Sequence, residues 1–198
     1  PNTWHQMGVI LAATDALNWY ARLVGGDVAQ LTGELGPLQA PGKTLFLPYL
    51  GGERTPLNSA TVRGAFTGLE HATDRQAGTR AVLEGVAYAI GDCRDALAAT
   101  GTRLQHLLAV GGGSKSDYWL RLIATALDCP VQLPVAGDFG GAFGAARLAL
   151  MAATGAGAEI ATLPKIARVI EPDATLKDAY DAGAARFRAA QTAIKDLT

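Results

Sequence analysis

Cysteine and histidine are scarce: the 198 residues hold two cysteines, Cys93 and Cys129, and three histidines, His5, His71 and His106. Cysteines so far apart form no Cys-x-x-Cys motif, which excludes a disulfide framework and a zinc site and fits a reducing cytoplasm. The histidines stand outside any Ser/His/Asp or metal-ligand spacing, and no carboxylate pair is recognisable by spacing. With no nucleophile beside an activating partner and no evident general base, the chain is assigned no catalytic residue and no metal ligand. An excess of one charge is also missing, with 17 Lys and Arg against 18 Asp and Glu and a net charge of −1. That balance leaves no basic face for nucleic acid and no polybasic patch for a membrane, and points to small-molecule work. Long apolar runs are missing too. The least polar long segment, Ala142 to Ala153, is short of a membrane span and contains Arg147, and no charged-then-apolar signal opens the chain. The chain starts at Pro1 with its first methionine at Met7, as expected of a start Met removed before Pro or of a piece of something longer.

What is present is a hydrophobic content of 49% and 24 glycines, enough to bury a core in one domain or a large part of one. The organising stretch is Leu107 to Trp119, where an aliphatic run meets Gly111-Gly112-Gly113 and then Ser114, Asp117 and a helical pattern. It reads as a buried strand, a tight turn and a helix N-terminus, with Ser114 and Asp117 in capping-box spacing. Glycines let backbone N–H groups approach a ligand, and the helix dipole favours negative charge there. A sharp turn alone explains the glycines equally well. A Walker A loop fails at Ser114, and both a dinucleotide fingerprint and a hydrolase elbow fail at Ser116.

The remaining segments alternate between strand and helix. Residues 3–8 are expected as a strand, feeding a helix with Ile10, Thr14, Leu17, Ala21 and Val24 on one face. A short helical piece and loop follow over 27–43, then a strand over 44–49 ending near Pro48. Gly51 to Asn58 is expected as a solvated loop, and Gly64 to Leu69 as a short strand or turn. The longest helix starts at Thr73 or Asp74, with Thr73 and Gln76 spaced as a capping box and Leu83, Val86, Ile90, Cys93 and Leu97 on one buried stripe. Its Gly78, Gly85 and Gly91 imply close packing on a neighbour, and Cys93 is expected in the core. A helix over 117–127 is followed by a strand over 131–133 and a second small-residue turn over 136–146, where Asp138 is expected to serve the turn. An Ala-rich helix to about 153 is expected to lie close to the sheet. A strand over 166–170 and a closing helix with Leu176, Tyr180, Phe187 and Ile194 complete an α/β layer structure.

Several segments, in order, resemble one family. Phe46 to Pro56, Arg63 to Leu69, Arg80 to Tyr88, Gly111 to Trp119 and Gly144 to Ala149 together are similar to the C-terminal half of FGGY carbohydrate kinases, nearest to the xylulokinase group. The resemblance implies an actin-like ATPase (ribonuclease H-like) domain, with a mixed sheet and helices on both faces. It implies a two-domain sugar kinase that closes over ATP, as Mg²⁺-ATP, and a sugar. D-xylulose is the implied substrate, favoured by Glu53-Arg54-Thr55-Pro56, with D-xylulose 5-phosphate as product. Another sugar or polyol such as glycerol, ribulose or gluconate is the sibling reading, and a non-catalytic actin-like domain the rival. Carried over by position, Gly112, Gly113 and Ser114 lie along the nucleotide, Asp117 near the adenine, and Thr14 and Asn18 towards the phosphates. The resemblance also implies that the first phosphate loop, the catalytic Asp and most sugar contacts belong to an N-terminal domain preceding Pro1. The chain is then a fragment expected to be inactive alone, its partners being that domain, ATP and the sugar, with a homodimer left open. The chain departs from the family pattern at Ala77-Gly78, where no ligand contact is expected.

Overall fold

A computed structural model describes residues 4–135 and 140–195. Helix α1 (Thr14–Leu23) buries Ala16, Leu17, Tyr20 and Ala21 on one face; of the expected stripe Leu17 and Ala21 are buried, Thr14 is half-buried, and Ile10 and Val24 lie just outside the helix. It starts at Thr14 because the preceding segment is engaged elsewhere. The Val9 N–H donates to Thr55 Oγ1, the Thr55 N–H returns a bond to the Val9 carbonyl, and the Leu11 N–H donates to Glu53 Oε1. Residues 4–8 therefore form no strand, contrary to expectation. In α2 (Val28–Gly33), the Asp27 carboxylate accepts from the Ala29 and Gln30 N–H groups and caps the helix.

Strands β1 (Leu45–Leu47) and β2 (Ala65–Thr67) pair antiparallel, with Phe46 opposite Phe66. Between them, the expected solvated loop is half wrong. Glu53 is only 2% exposed, and its Oε1 accepts from the N–H groups of Leu11 and Arg54. Its polarity serves its neighbour's N–H and the Leu11 N–H brought in from the start of the chain rather than water.

Helix α3 (Arg75–Ala98) is the axle of the molecule. Its N-cap is Asp74, whose carboxylate accepts from the Ala77 N–H at 2.8 Å. The Thr73–Gln76 box does not form, because Thr73 Oγ1 accepts from the Glu70 N–H instead. Residues 81–89 are buried on every side, so the single stripe was too narrow a reading. Two of its three glycines are contact points. A methyl on Gly85 would sit 2.0 Å from the Phe46 carbonyl oxygen of β1, and one on Gly78 would sit 2.0 Å from the Tyr20 hydroxyl, whereas Gly91 faces open space.

The second half carries β3 (Leu107–Leu108), α4 (Asp117–Leu127), β4 (Val131–Pro134), α5 (Gly140–Thr154), β5 (Ile166–Ile170) and α6 (Lys177–Lys195). β3 and β4 are parallel and β5 is antiparallel to β4, giving a mixed sheet in the order β3-β4-β5. Leu120 and Ala124 of α4 pack on Val131 and Ile170 of this sheet. Helix α6 completes the main core with Tyr180, Phe187 and Ile194, the Phe187 ring 5.5 Å from that of Tyr88. The Ala-rich α5 buries none of its residues, against the expectation that it would lie close to the sheet; it meets the sheet at its start, where a methyl on Gly140 would touch Val110. Asp138 lies outside the described residues.

Candidate functional site

The triple-glycine turn borders a cleft of about 380 Å³ formed by α1, α3, α4 and the β3 edge. Gly111 leaves β3 with φ at +87°, a left-handed conformation that favours glycine. The chain then winds into a short 3₁₀ turn, Gly112–Lys115, rather than directly into α4. This displaces the cap. The Ser114 hydroxyl donates to the Gly111 carbonyl at 2.7 Å and closes the turn on itself. Ser116 is the residue that caps α4, its Oγ accepting from the Trp119 N–H at 3.3 Å. The expected Ser114–Asp117 capping box is therefore corrected to a cap at Ser116.

Asp117, the first residue of α4, is exposed and pairs with Arg168 of β5 through two bonds of 2.9 and 2.5 Å. The guanidinium holds its carboxyl below the usual carboxylate range. A carboxylate at that helix end disfavours an anion, but the Arg168 guanidinium offsets its charge. Thr14 opens α1, a helix whose N-cap residue, Ala13, offers no side-chain cap, and both Ala13 and Thr14 line the cleft. That first turn carries Asp15, and its Ala16 N–H donates to the Ala13 carbonyl at 3.1 Å.

Of the six candidate residues, the structure brings Thr14, Gly112, Gly113 and Ser114 together around one cleft. Gly113 sits against both walls, since a methyl there would lie 3.2 Å from Thr14 Oγ1 and 3.1 Å from the Trp119 ring. Asn18 is exposed one helical turn after Thr14, and neither Asn18 nor Asp117 lines the cleft. Two residues escaped the sequence reading. Trp119 serves as a wall, its indole N–H donating to the Leu83 carbonyl at 3.2 Å, and Arg168 holds Asp117. The inward position of Trp119 on the helix was legible; a partner for Asp117 so much later in the chain left no local signal. The rest of the lining is apolar, including Val86, Ile90, Ala109 and Ile123, and among the described residues it contains no Asp, Glu, His or Lys.

Residues 1–153 match the C-terminal domain of the FGGY family of carbohydrate kinases. The chain belongs to that family. It is 38% identical over 192 residues to a xylulose kinase of Escherichia coli (strain K12), an alignment covering 95% of this chain and 40% of the relative. A crystal structure of a xyloylose kinase from Brucella ovis superposes on this FGGY domain with a TM-score of 0.92 at 57% identity, over 100% of this chain and 42% of that one. A Plasmodium falciparum glycerol kinase with ADP has the same fold, with a TM-score of 0.74 at 17% identity over 91% of this chain and 37% of that one. The FGGY domain thus spans about two fifths of the length of its relatives, and the actin-like α/β fold expected from the sequence is the one observed. No helix among the described residues is long and apolar enough to cross a membrane.

Proposed function

We propose that this chain is the nucleotide-binding part of a cytoplasmic xylulokinase that transfers a phosphoryl group from ATP to D-xylulose, giving D-xylulose 5-phosphate. The observation that carries the reading is the cleft itself. Its volume falls within the roughly 300–1,000 Å³ of small-molecule sites, its floor is the glycine turn, and its mostly apolar lining with Trp119 in the wall suits a nucleoside. The adenosine would lie on Gly112, Gly113 and Ser114 beside Trp119, with Asp117 and Arg168 at the rim near the adenine. The phosphates would extend towards Thr14 and the first turn of α1, with Asn18 one turn further along. ATP supplies the phosphoryl group; the residues here bind and orient its nucleoside and shield it from water.

Deprotonation of a sugar hydroxyl needs a base within hydrogen-bond reach, and the described lining offers none. We therefore place the base and the sugar contacts on an N-terminal domain and expect this chain alone to bind ATP without turnover. Mg²⁺ would arrive on the ATP phosphates, as it does where substrate phosphates supply most of its ligands, and we assign it no ligand in this chain.

The test has two parts. ATP titrated into this chain should quench or shift Trp119 fluorescence while no ADP forms with D-xylulose. The complete protein should then phosphorylate D-xylulose in preference to ribulose, gluconate and glycerol. Failure of ATP to perturb any residue of the turn would overturn the binding assignment, and preference for another acceptor would overturn the substrate.

A further inference from the structure

The Glu53-Arg54-Thr55-Pro56 motif has no place in the site described above, since none of its residues lines the cleft. What the motif holds is the approach to α1. Glu53 Oε1 accepts from the Leu11 N–H at 3.0 Å and from the Arg54 N–H at 2.7 Å. Thr55 engages Val9 twice, its Oγ1 accepting from the Val9 N–H at 3.1 Å and its own N–H donating to the Val9 carbonyl at 2.9 Å. The motif is itself anchored. Glu53 and Ser59 exchange two backbone bonds of 2.8 Å, and the Thr55 carbonyl accepts from the Cys93 thiol of α3 at 3.8 Å. Gly8, just ahead of Val9, lies so close to the same cysteine that a methyl on it would sit 2.8 Å from the Cys93 Cβ.

We propose that Glu53 and Thr55 are positioning residues: they strap residues 9–11 in place and so set where α1 begins, and with it the cleft wall made by Ala13 and Thr14. Helix α1 has no side-chain cap of its own, so no local bond of that kind fixes its first turn. The strap ends at Leu11, and the one residue between it and Ala13 is Ala12, buried at 3% exposure. Ala13 and Thr14 then enter the cleft, where a methyl on Gly113 would lie 3.2 Å from Thr14 Oγ1. A displaced α1 start therefore either presses on the glycine turn or parts from it. The strap asks Glu53 for an acceptor and not for a charge. Both N–H groups converge on Oε1, while Oε2 has no hydrogen-bond partner among the described residues, and one carbonyl oxygen carries the two lone pairs required. Only the consequence for ATP rests on the function proposed above.

Amide hydrogen exchange on this chain tests the strap without nucleotide. Thr55→Val keeps the shape and removes Oγ1; Glu53→Met keeps the length and removes the acceptor. Each should lower the protection of its bonded amide, Val9 or Leu11, at least tenfold. Each should also lower that of Ala16, whose N–H donates to the Ala13 carbonyl in the first turn of α1, at least fivefold. The Tyr180 amide of α6, bonded to the Leu176 carbonyl, should change less than twofold. Thr55→Ser and Glu53→Gln, which restore the acceptor oxygens, should return every amide to within twofold of wild type. Unchanged Ala16 protection in Thr55→Val and Glu53→Met, or a Glu53→Gln variant as impaired as Glu53→Met, overturns the proposal. So does a loss in Thr55→Val that Tyr180 shares, which marks loss of the fold rather than of position. In the complete kinase, Thr55→Val should raise the KM for ATP at least threefold and that for D-xylulose less than twofold, and Thr55→Ser should restore it. The expected exchange pattern with an unmoved KM for ATP upholds the strap and sinks the placing of the phosphates at Thr14; flat Ala16 exchange with ATP bound at the turn does the reverse.

Discussion

Gly113 is held between Thr14 and Trp119 with room for a methyl only if one of them gives by a few tenths of an ångström. Gly113→Val should therefore push the larger side chain into the cleft and raise KM for ATP in the complete kinase by tenfold or more, with the KM for sugar changed less than twofold. Steady-state kinetics with each substrate varied in turn checks this. At the rim, Asp117 and Arg168 are each about half exposed, so solvent screens their pairing. Arg168→Ala should cost under about 1 kcal/mol of stability in urea denaturation. Residue roles were the least legible level of the sequence. Ser114 and Ser116 both precede α4, and spacing alone favoured Ser114 because Asp117 follows it by three. The deciding factor was the 3₁₀ turn over 112–115, which consumes Ser114 and hands the cap to Ser116.

At the scale of elements, α3 and β1 are locked by the absence of a side chain at Gly85. The nearest obstacle to a Cβ is the Phe46 carbonyl, a backbone atom that cannot rotate aside. Gly85→Ala should destabilise the domain by at least about 2 kcal/mol, as overpacked cores do, despite the better helix propensity of Ala; the midpoint of urea unfolding measures it. The elements themselves were readable where periodicity is strong. The limits of α4 and β5 agree with the expected ones, and Tyr180, Phe187 and Ile194 of α6 face the core as predicted. Where a segment owes its shape to a distant partner, pattern reading failed. Residues 4–8 look strand-like, yet Gln6 bonds to Thr100 and Thr102 and Gly8 packs against Cys93, and Glu53 looks solvated in sequence because the Leu11 N–H it binds comes from the chain start. Glu84 is the one acid in the fully buried run 81–89, and the Gly42 N–H it binds lies far back in the chain, so no spacing announces its burial.

For the molecule as a whole, the buried Glu84 couples stability to pH. Its acid is raised from an ordinary value of 4.5 to about 7 in the folded chain, so between those values the folded state holds a proton that the unfolded state has released. That contribution is fully present below about pH 4.5 and lost as pH rises through about 7. It amounts to roughly 1.4 kcal/mol per pH unit over that interval, on the order of 3 kcal/mol in all. Thermal melts of wild type and Glu84→Gln at pH 5 and pH 8 should show the wild type losing more on the alkaline side. A different consequence follows from helix α6. Its Tyr180 and Phe187 are fully buried, yet they fall beyond residue 153, where the family match stops, as does Arg168. A gene clipped at that boundary should encode an insoluble or molten product, recognisable by dye binding and a featureless near-ultraviolet spectrum, so the working autonomous unit is longer than the evolutionary signature that defines it.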